Sequence, residues 1–468
     1  MARIIVLGAG VCGLATGLLL RRDGHEVSVL ERDDGEVPAS GDDAWGQWSR
    51  DGVAQFRQPH YLHSRGRIVL EETLPDVTTA LDAAGAARFN PLRLMPPSIT
   101  DHSPRPGDER FETITARRPI LEQVLARVAH AEPGLEVRTG VAVRELVVAR
   151  YNGSPHIAGV RTDSGDELRA DLVVDATGRR SQLPRWLEAA GTAPVYEEIE
   201  GSGFIYYTRY FRGRTGAMPD FRAPLLTPVG TFSLLVIPSD NDTWSVTVFI
   251  SAGDRPLKRL RAAEPWAAVV RACPLHAHWL DGDPITDVWP MGGLVDRYRR
   301  FAVGEEPVAT GIAAVGDAWA CSNPSLGRGM SLGLLHAQRL RDTIRDHLDN
   351  PREFAVAWDA VTEAELTPWY RQTVEEDRDR FAEIEALRDG VEPGPEPSES
   401  ARRLRVVLAA MTLDPDVFRT FLASRCCLAS LHDAFADQEF VSRIGELARD
   451  SAPPPVLGPD RAQLLSLL

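Results

Sequence analysis

At 468 residues with 43% apolar content, the chain is too long for one simple core and can fill two or three packed units, so two intertwined domains and a helical tail are expected. Its 52 basic and 67 acidic residues leave a net charge of −15, a field that repels nucleic acid and anionic membrane and favours a small, mostly apolar substrate. Five scattered cysteines, with no CxxC or Cys/His spacing suited to zinc, argue against a structural metal and for a reducing, cytoplasmic setting.

Residues 3–7 (RIIVL) read as a buried parallel strand, followed at once by glycines, an apolar helix from Leu14 to Leu20, and a second strand from Glu26 to Leu30. That is a βαβ unit. The apolar opening from Ile4 to Leu20 carries Gly8, Gly10 and Gly13 and has only Arg3 before it, so it reads as fold and not as a secretory leader. No run of about 18 apolar residues predicts a transmembrane helix. Ile120 to Val128 repeats at helical spacing, Leu135–Val137 and Val141–Val148 read as strands, and residues 171–175 (DLVVD) as a further buried strand. From Gly203 to Ser251 the pattern becomes antiparallel, with β-rich stretches at Phe204–Arg212, Thr231–Ile237 and Thr243–Ile250. Ala309–Val315 should return to the first sheet, Gly329–His347 reads as a long helix, and everything beyond about residue 350 is helical except a linker at Asp389–Pro397.

Gly8-Ala9-Gly10-Val11-Cys12-Gly13 is a G-x-G-x-x-G string directly after a strand and at the start of a helix, and Glu31 closes the second strand. Glycines there allow a tight turn and close backbone approach, the helix N-terminus turns free N–H groups toward a pyrophosphate, and Glu31 can accept both ribose hydroxyls of an adenosine. Arg32 either stacks near the adenine or points to solvent. A second Gly-rich site decides between dinucleotides. Gly311 to Ala318 (GIAAVGDA) runs from a strand into Gly316-Asp317, followed by Asn323-Pro324-Ser325-Leu326-Gly327-Arg328-Gly329 and a helix. An acid at that strand end can take a ribityl hydroxyl, and the helix start stabilises negative charge on a flavin ring, so FAD is expected. The plainer reading is a strand–turn–helix capped by Asp317.

Through these two motifs, residues 1–345 resemble the FAD-dependent monooxygenase superfamily, which includes aromatic hydroxylases and the epoxidases and hydroxylases of polyketide and terpenoid pathways. Three further segments carry the resemblance: Arg57 to Gly66 (RQPHYLHSRG), Arg118-Pro119-Ile120-Leu121, and Asp175-Ala176-Thr177-Gly178-Arg179. The resemblance implies that Arg57 lies by the diphosphate, Arg118 contacts FAD, Gly178 closes over the pyrophosphate and the backbone near Val143 meets the adenine. The expected cofactor set is then Gly8, Gly10, Gly13, Glu31, Arg32, Arg57, Arg118, Val143, Gly178, Gly316, Asp317, Pro324, Gly327 and Gly329. The fold it implies is α/β: a Rossmann-like, glutathione-reductase-like FAD-binding domain (1–75, 105–185 and 295–348), an inserted antiparallel-sheet substrate domain (76–104 and 186–294), and a C-terminal helical region (349–468). The chain departs from the aromatic hydroxylases, with Thr177-Gly178 in place of Asp-Gly and Ala320 in place of histidine, and its N-P-x-x-G-x-G-M string is closer to the epoxidase and natural-product branches. NAD(P)H as transient reductant and a separate flavin reductase are therefore both open.

The activity this implies is hydroxylation or epoxidation of a hydrophobic polyketide, terpenoid or aromatic metabolite by a flavin C4a-hydroperoxide, the protein positioning substrate and excluding water. The sheet of residues 203–251 should roof the ring, with Tyr206, Tyr210 and Phe249 as candidate pocket walls beside Trp289 and Trp319; aromatic residues in such strands are more ordinarily core. His60 and His63 are candidate proton handlers, yet no catalytic acid or base is assigned. Cys12 and Cys321 read as packed thiols. The single lysine, Lys258, reads as surface, which argues against halogenase and Schiff-base chemistry. A non-redox polyene cyclase with structural FAD and an FAD-dependent dehydrogenase or saturase are the alternatives. Monomer and homodimer are both open. Leu404–Met411 and Val417–Leu428 carry apolar faces that need a partner, so loss of Ala401–Leu468 should give insoluble protein.

Overall fold

A computed structural model describes residues 1–214, 216–304, 306–391, 398–449 and 457–468. The expected linker at Asp389–Pro397 falls largely on residues 392–397, outside the described residues. Five parallel strands form the first sheet in the spatial order Ile312–Ala314, Leu172–Asp175, Arg3–Leu7, Glu26–Leu30, Leu135–Arg138. The late strand does return to the early sheet, pairing Ala313 with Val174. Helices Val11–Arg22, Arg118–Ala131 and Gly329–His347 cover the sheet, and its largest core runs from Ile4 through Val6, Leu18, Val29, Val173 and Ala313 to Leu334. A strand buried on both faces must be apolar at every position, which is why RIIVL and LVVD carry no period-two alternation.

The second sheet is antiparallel, with Leu226–Val229, Phe232–Pro238, Thr243–Ser251, Phe204–Arg212 and Asp283–Pro284 in that order, and Trp289–Met291 also on Phe204–Arg212. Register puts Ile237, Ser245 and Tyr210 in one cross-strand row and Ser233, Phe249 and Tyr206 in another. These rows share one face. The opposite face buries Tyr207, Phe211, Val246 and Val248 against Trp266 and Trp279.

Residues 76–104, grouped by sequence with the substrate sheet, divide between neighbours. Val77 and Leu81 pack into the parallel-sheet core. Met95 and Ile99 join Val407, Val417 and Phe418 of the C-terminal helices in a separate cluster. Ala84, Gly85 and Phe89 meet the antiparallel-sheet region, through Asn241 and Phe221. Among the described residues no helix is long and apolar enough to cross a membrane.

Candidate functional site

A cleft of about 600 Å³ opens where the first sheet's strand ends face the second sheet. Ligands of open α/β sheets bind outside such carboxyl ends. Gly8 turns at φ +95°, and a Cβ there would lie 2.8 Å from the Ala176 carbonyl oxygen. A Cβ on Gly13 would lie 1.8 Å from the Gly8 carbonyl oxygen, so the third glycine lets the helix start against the turn. Gly10 is different: nothing lies within 4 Å of its Cβ position, which faces open cleft. It caps the helix Val11–Arg22 without a side-chain acceptor for the first N–H groups. An open approach to unpartnered N–H groups suits a pyrophosphate.

Glu31 is buried and already engaged. Its Oε2 accepts from Ala9 N (2.8 Å) and Arg50 Nη2 (2.7 Å), and Oε1 from Asp33 N (3.1 Å). With about four lone-pair sites on a carboxylate, three internal donors leave room for one ribose hydroxyl where the sequence predicted two. Arg50, which sequence reasoning missed, lines the cleft and also meets Asp33 at 3.1 Å and Glu122 at 3.1 Å. Arg57 does not line the cleft. It donates instead to the Trp45 and Trp48 carbonyls at 3.1 and 2.9 Å, fastening the end of the helix Gly41–Gly46 and the residues just after it, so the guanidinium on this wall is that of Arg50. Arg32 is half exposed at the cleft mouth with Val143 and Arg144.

Arg118 does reach the cleft, held by Glu122 at 2.6 Å and by His60 Nε2 at 2.9 Å. His60 Nδ1 faces the Gln58 carbonyl at 2.8 Å. A carbonyl only accepts, so Nδ1 carries the hydrogen and Nε2 is the acceptor for Arg118. Burial, then the Arg118 charge, pushes His60 down to about 3, and burial holds His63 at about 4. Both are neutral at physiological pH and position their neighbours.

Gly178 (φ +74°), Gly316 (φ +57°), Asp317, Pro324, Gly327 (φ +64°) and Gly329 all line the cleft. Buried Asp175 shapes the Thr177-Gly178 turn by accepting from Thr177 N at 2.9 Å and Thr177 Oγ1 at 2.6 Å. Asp317 is partly buried; desolvation raises its carboxyl, and Arg118 and Arg179 oppose the rise. His336 accepts the Gly316 N–H through Nδ1 at 3.2 Å, stacks on Trp358 at 4.5 Å, and is pushed down to about 3 by burial. Its signal was legible: Gly329, Gly333 and His336 sit at i, i+4 and i+7 on one helix face.

The pocket wall differs from expectation. Of the five aromatic candidates only Trp319 lines the cleft. Tyr206 stacks on Phe249 at 4.9 Å, and both sit in a cluster with Phe381 and Ile384 of helix Thr367–Asp389, which covers that end of the sheet. Tyr210 and Trp289 turn toward Trp45, at 5.0 and 5.8 Å. What remains open on the shared face is aliphatic: Leu235, Ile237, Met291 and Leu294. The C-terminal helix also supplies Tyr370 and Thr373 to the lining, a contribution that sequence reasoning missed. A wider groove of about 760 Å³ nearby presents Asp33, Asp34, Glu36, Asp43 and Asp51, carboxylates that would repel an anionic dinucleotide.

Residues 3–202 match the family described as FAD binding domain. Protein Rv3254 of Mycobacterium tuberculosis is 28% identical over 378 residues, covering 73% of this chain and 72% of that one. Kynurenine 3-monooxygenase of Salinispora tropica is 25% identical over 214 residues, 43% of this chain and 42% of that one. PqsL of Pseudomonas aeruginosa superposes with a TM-score of 0.57 at 19% identity, over 82% of this chain and 99% of that one. Residues 3–202 therefore carry the features of an FAD binding domain, and the chain shares its fold with PqsL.

The cleft residues fit FAD on independent grounds. The Gly10 cradle is open, the helix start is uncapped, Arg118 and Arg179 face the cleft, and Gln58 Oε1 is buried there without a partner. Gly8, Gly10, Gly13 and Gly178 would hold the pyrophosphate of FAD, Glu31 a ribose, and Gly316, Asp317 and Pro324 to Gly329 the flavin half.

Proposed function

We propose that this flavoprotein is a monooxygenase, a hydroxylase or epoxidase, of a hydrophobic polyketide, terpenoid or aromatic metabolite. The carrying observation is the continuity of the cleft: the dinucleotide cradle runs directly into a wall of Leu235, Ile237, Met291 and Leu294. An apolar wall next to the flavin half excludes water and accepts an apolar substrate. Bound FAD supplies the oxygen transfer, in this reading through a C4a-hydroperoxide; the chain orients and encloses. The side chains are consistent with that division. His60 and His336 are held at about 3 and Cys12 and Cys321 at about 12, so none offers an imidazole base or thiolate at neutral pH. The likeness to a kynurenine 3-monooxygenase over 43% of the chain adds weight to oxygen transfer.

Stopped-flow absorbance tests the reading. The yellow protein is mixed anaerobically with NADH or NADPH, or with a flavin reductase system, and then with oxygenated buffer. The reading expects reduction in one of these arms and reoxidation through the C4a-adduct absorbance, with one oxygen atom gained by a substrate. Reduced protein that reoxidises without an adduct, with candidate substrates present, overturns it in favour of a non-redox role for FAD.

A further inference from the structure

The wall of the cleft opposite the Gly8–Gly13 turn is fastened at one residue. Asn323 is buried, and each of its polar groups is engaged: its N–H donates to Asp296 Oδ1 at 2.6 Å, its Nδ2 to Asp377 Oδ2 at 3.0 Å, and its Oδ1 accepts from the Tyr206 hydroxyl at 2.9 Å. Asn323 thereby ties the loop carrying Pro324, Gly327 and Gly329 to the short sheet strand Val295–Arg300, the roof strand Phe204–Arg212 and the C-terminal helix Thr367–Asp389. Among these partners Asp377 is unusual. It is 7% exposed, and among the described residues no guanidinium comes within ion-pair distance of it. The nearby arginines are committed elsewhere: Arg378 to Glu200, Arg425 to Glu376, and Arg328 to Thr373 and the Ser424 carbonyl.

We propose that Asp377 is a proton-exchanging positioning residue of the FAD cleft: it takes up a proton when the anionic dinucleotide binds, and through Asn323 it sets the loop that forms the flavin-side wall. A buried carboxylate with no guanidinium at ion-pair distance is costly, and a flavin half seated against the Pro324–Gly329 loop would exclude water from this wall while the dinucleotide adds negative charge to the cleft, so FAD binding favours the neutral acid. The groups facing Asp377 push the same way or are accounted for. Asp296 from its strand and Glu376 from its own helix oppose a further charge; Asn323 from the loop favours one, as does the buried Arg328 guanidinium at the start of the next helix, which bonds only neutral acceptors and lies beyond ion-pair distance; Tyr206 faces Asn323. The balance leaves the carboxyl raised to about 7, with burial the largest cause, so both protonation states are reachable at physiological pH. The inference rests on FAD binding and not on the reaction catalysed, so it survives or fails independently of monooxygenase activity.

The test uses full-length protein stripped of its flavin. Heats of FAD binding are measured at pH 7 in two buffers of different ionisation enthalpy, and FAD affinity is measured by flavin fluorescence from pH 5.5 to 8.5. The expected result is uptake of a fraction of a proton, largest near pH 7, and affinity that weakens by up to about tenfold as pH rises, the effect of a one-unit pKa change on binding. Asp377→Asn keeps the shape and an acceptor for Asn323 while fixing the neutral state; it should abolish both the uptake and the pH dependence. Asp296→Asn, which removes a facing negative charge and leaves the carboxyl of Asp377 in place, should move the step to lower pH without removing it. Wild-type protein that binds FAD with no proton uptake, or D377N with the wild-type pH profile, overturns the proposal. If D377N does not fold, a displacement of the step to lower pH in D296N sustains the proposal, and its absence overturns it.

Discussion

Cys12 and Gly333 make the most demanding test of the packing beneath the cofactor site. Gly333 lies inside helix Gly329–His347, where alanine would ordinarily gain roughly 1 kcal/mol of helix propensity. Here a Cβ at 333 would fall 2.2 Å from Cys12 Sγ but 3.9 Å from Cys12 Cβ. The sulfur alone is the obstacle. Gly333→Ala should therefore be destabilising by about 1–3 kcal/mol, the range for overpacking a filled core. Adding Cys12→Ala should restore stability to that of C12A or better, because the remaining contact is an ordinary one. Urea unfolding of the four proteins gives the coupling energy, which should favour the double variant by at least about 1 kcal/mol beyond additivity. Gly316→Ala is the control: its Cβ would also meet Cys12 Sγ, at 2.8 Å, but φ at 316 is +57°. Removing the sulfur cannot relieve that backbone penalty of roughly 1–2 kcal/mol, so C12A should rescue it only in part. Additive effects of G333A and C12A would refute the assignment of Gly333 to the sulfur contact.

Further expectations concern the cofactor loop and the tail. His336→Ala leaves the buried Gly316 N–H without its acceptor and should cost about 1–3 kcal/mol, read as weaker FAD retention on gel filtration; His336→Gln, which keeps an acceptor, should recover part of it. For stability against pH, Asp377 is near 3.8 in the unfolded chain and about 7 in the folded one, so the folded state binds more protons between these values. Its contribution to stability is thus lost as pH rises through that window. D377N should match wild type in urea only below about pH 4, and exceed it by a margin that grows up to about pH 7 and then levels off, where wild type carries the buried charge. A chain lacking residues 401–468 should be insoluble, since Val407, Val417 and Phe418 share a core with Met95, Ile99 and Phe111; soluble, flavin-loaded truncated protein would contradict this.

The nucleotide half of the site was legible because its constraints are local. Tight turns demand glycine, and fully buried strands demand unbroken apolar runs, so Gly8, Gly13, Glu31 and the return of the strand Ile312–Ala314 could all be read from spacing. The other half depends on contacts between distant segments. Arg50 and Arg57 are both arginines in one loop, and only the fold decides that Arg50 reaches Glu31 while Arg57 serves the Trp45 and Trp48 carbonyls. The aromatic wall was misjudged for the same reason. Strand alternation puts Tyr206 and Phe249 on the face of the sheet that Leu235 and Ile237 extend to the cleft, but nothing in those strands reveals that Phe381 and Ile384 cover them from a helix more than 130 residues later.

The late helices have a consequence for when the protein becomes a flavoprotein. Every glycine of the two motifs has been synthesised by residue 329, yet the cleft they build is incomplete at that point. Tyr370 and Thr373 of its lining, the Asp377 carboxyl that holds Asn323, and the Ser424 carbonyl that receives Arg328 all follow. Arg65 in turn is tied to the carbonyls of Cys427 and Leu428. A nascent chain therefore presents the phosphate-binding turn early, but finishes the far wall of the cleft only when residues 370–428 have folded back, so full-strength uptake of FAD is expected only after that step.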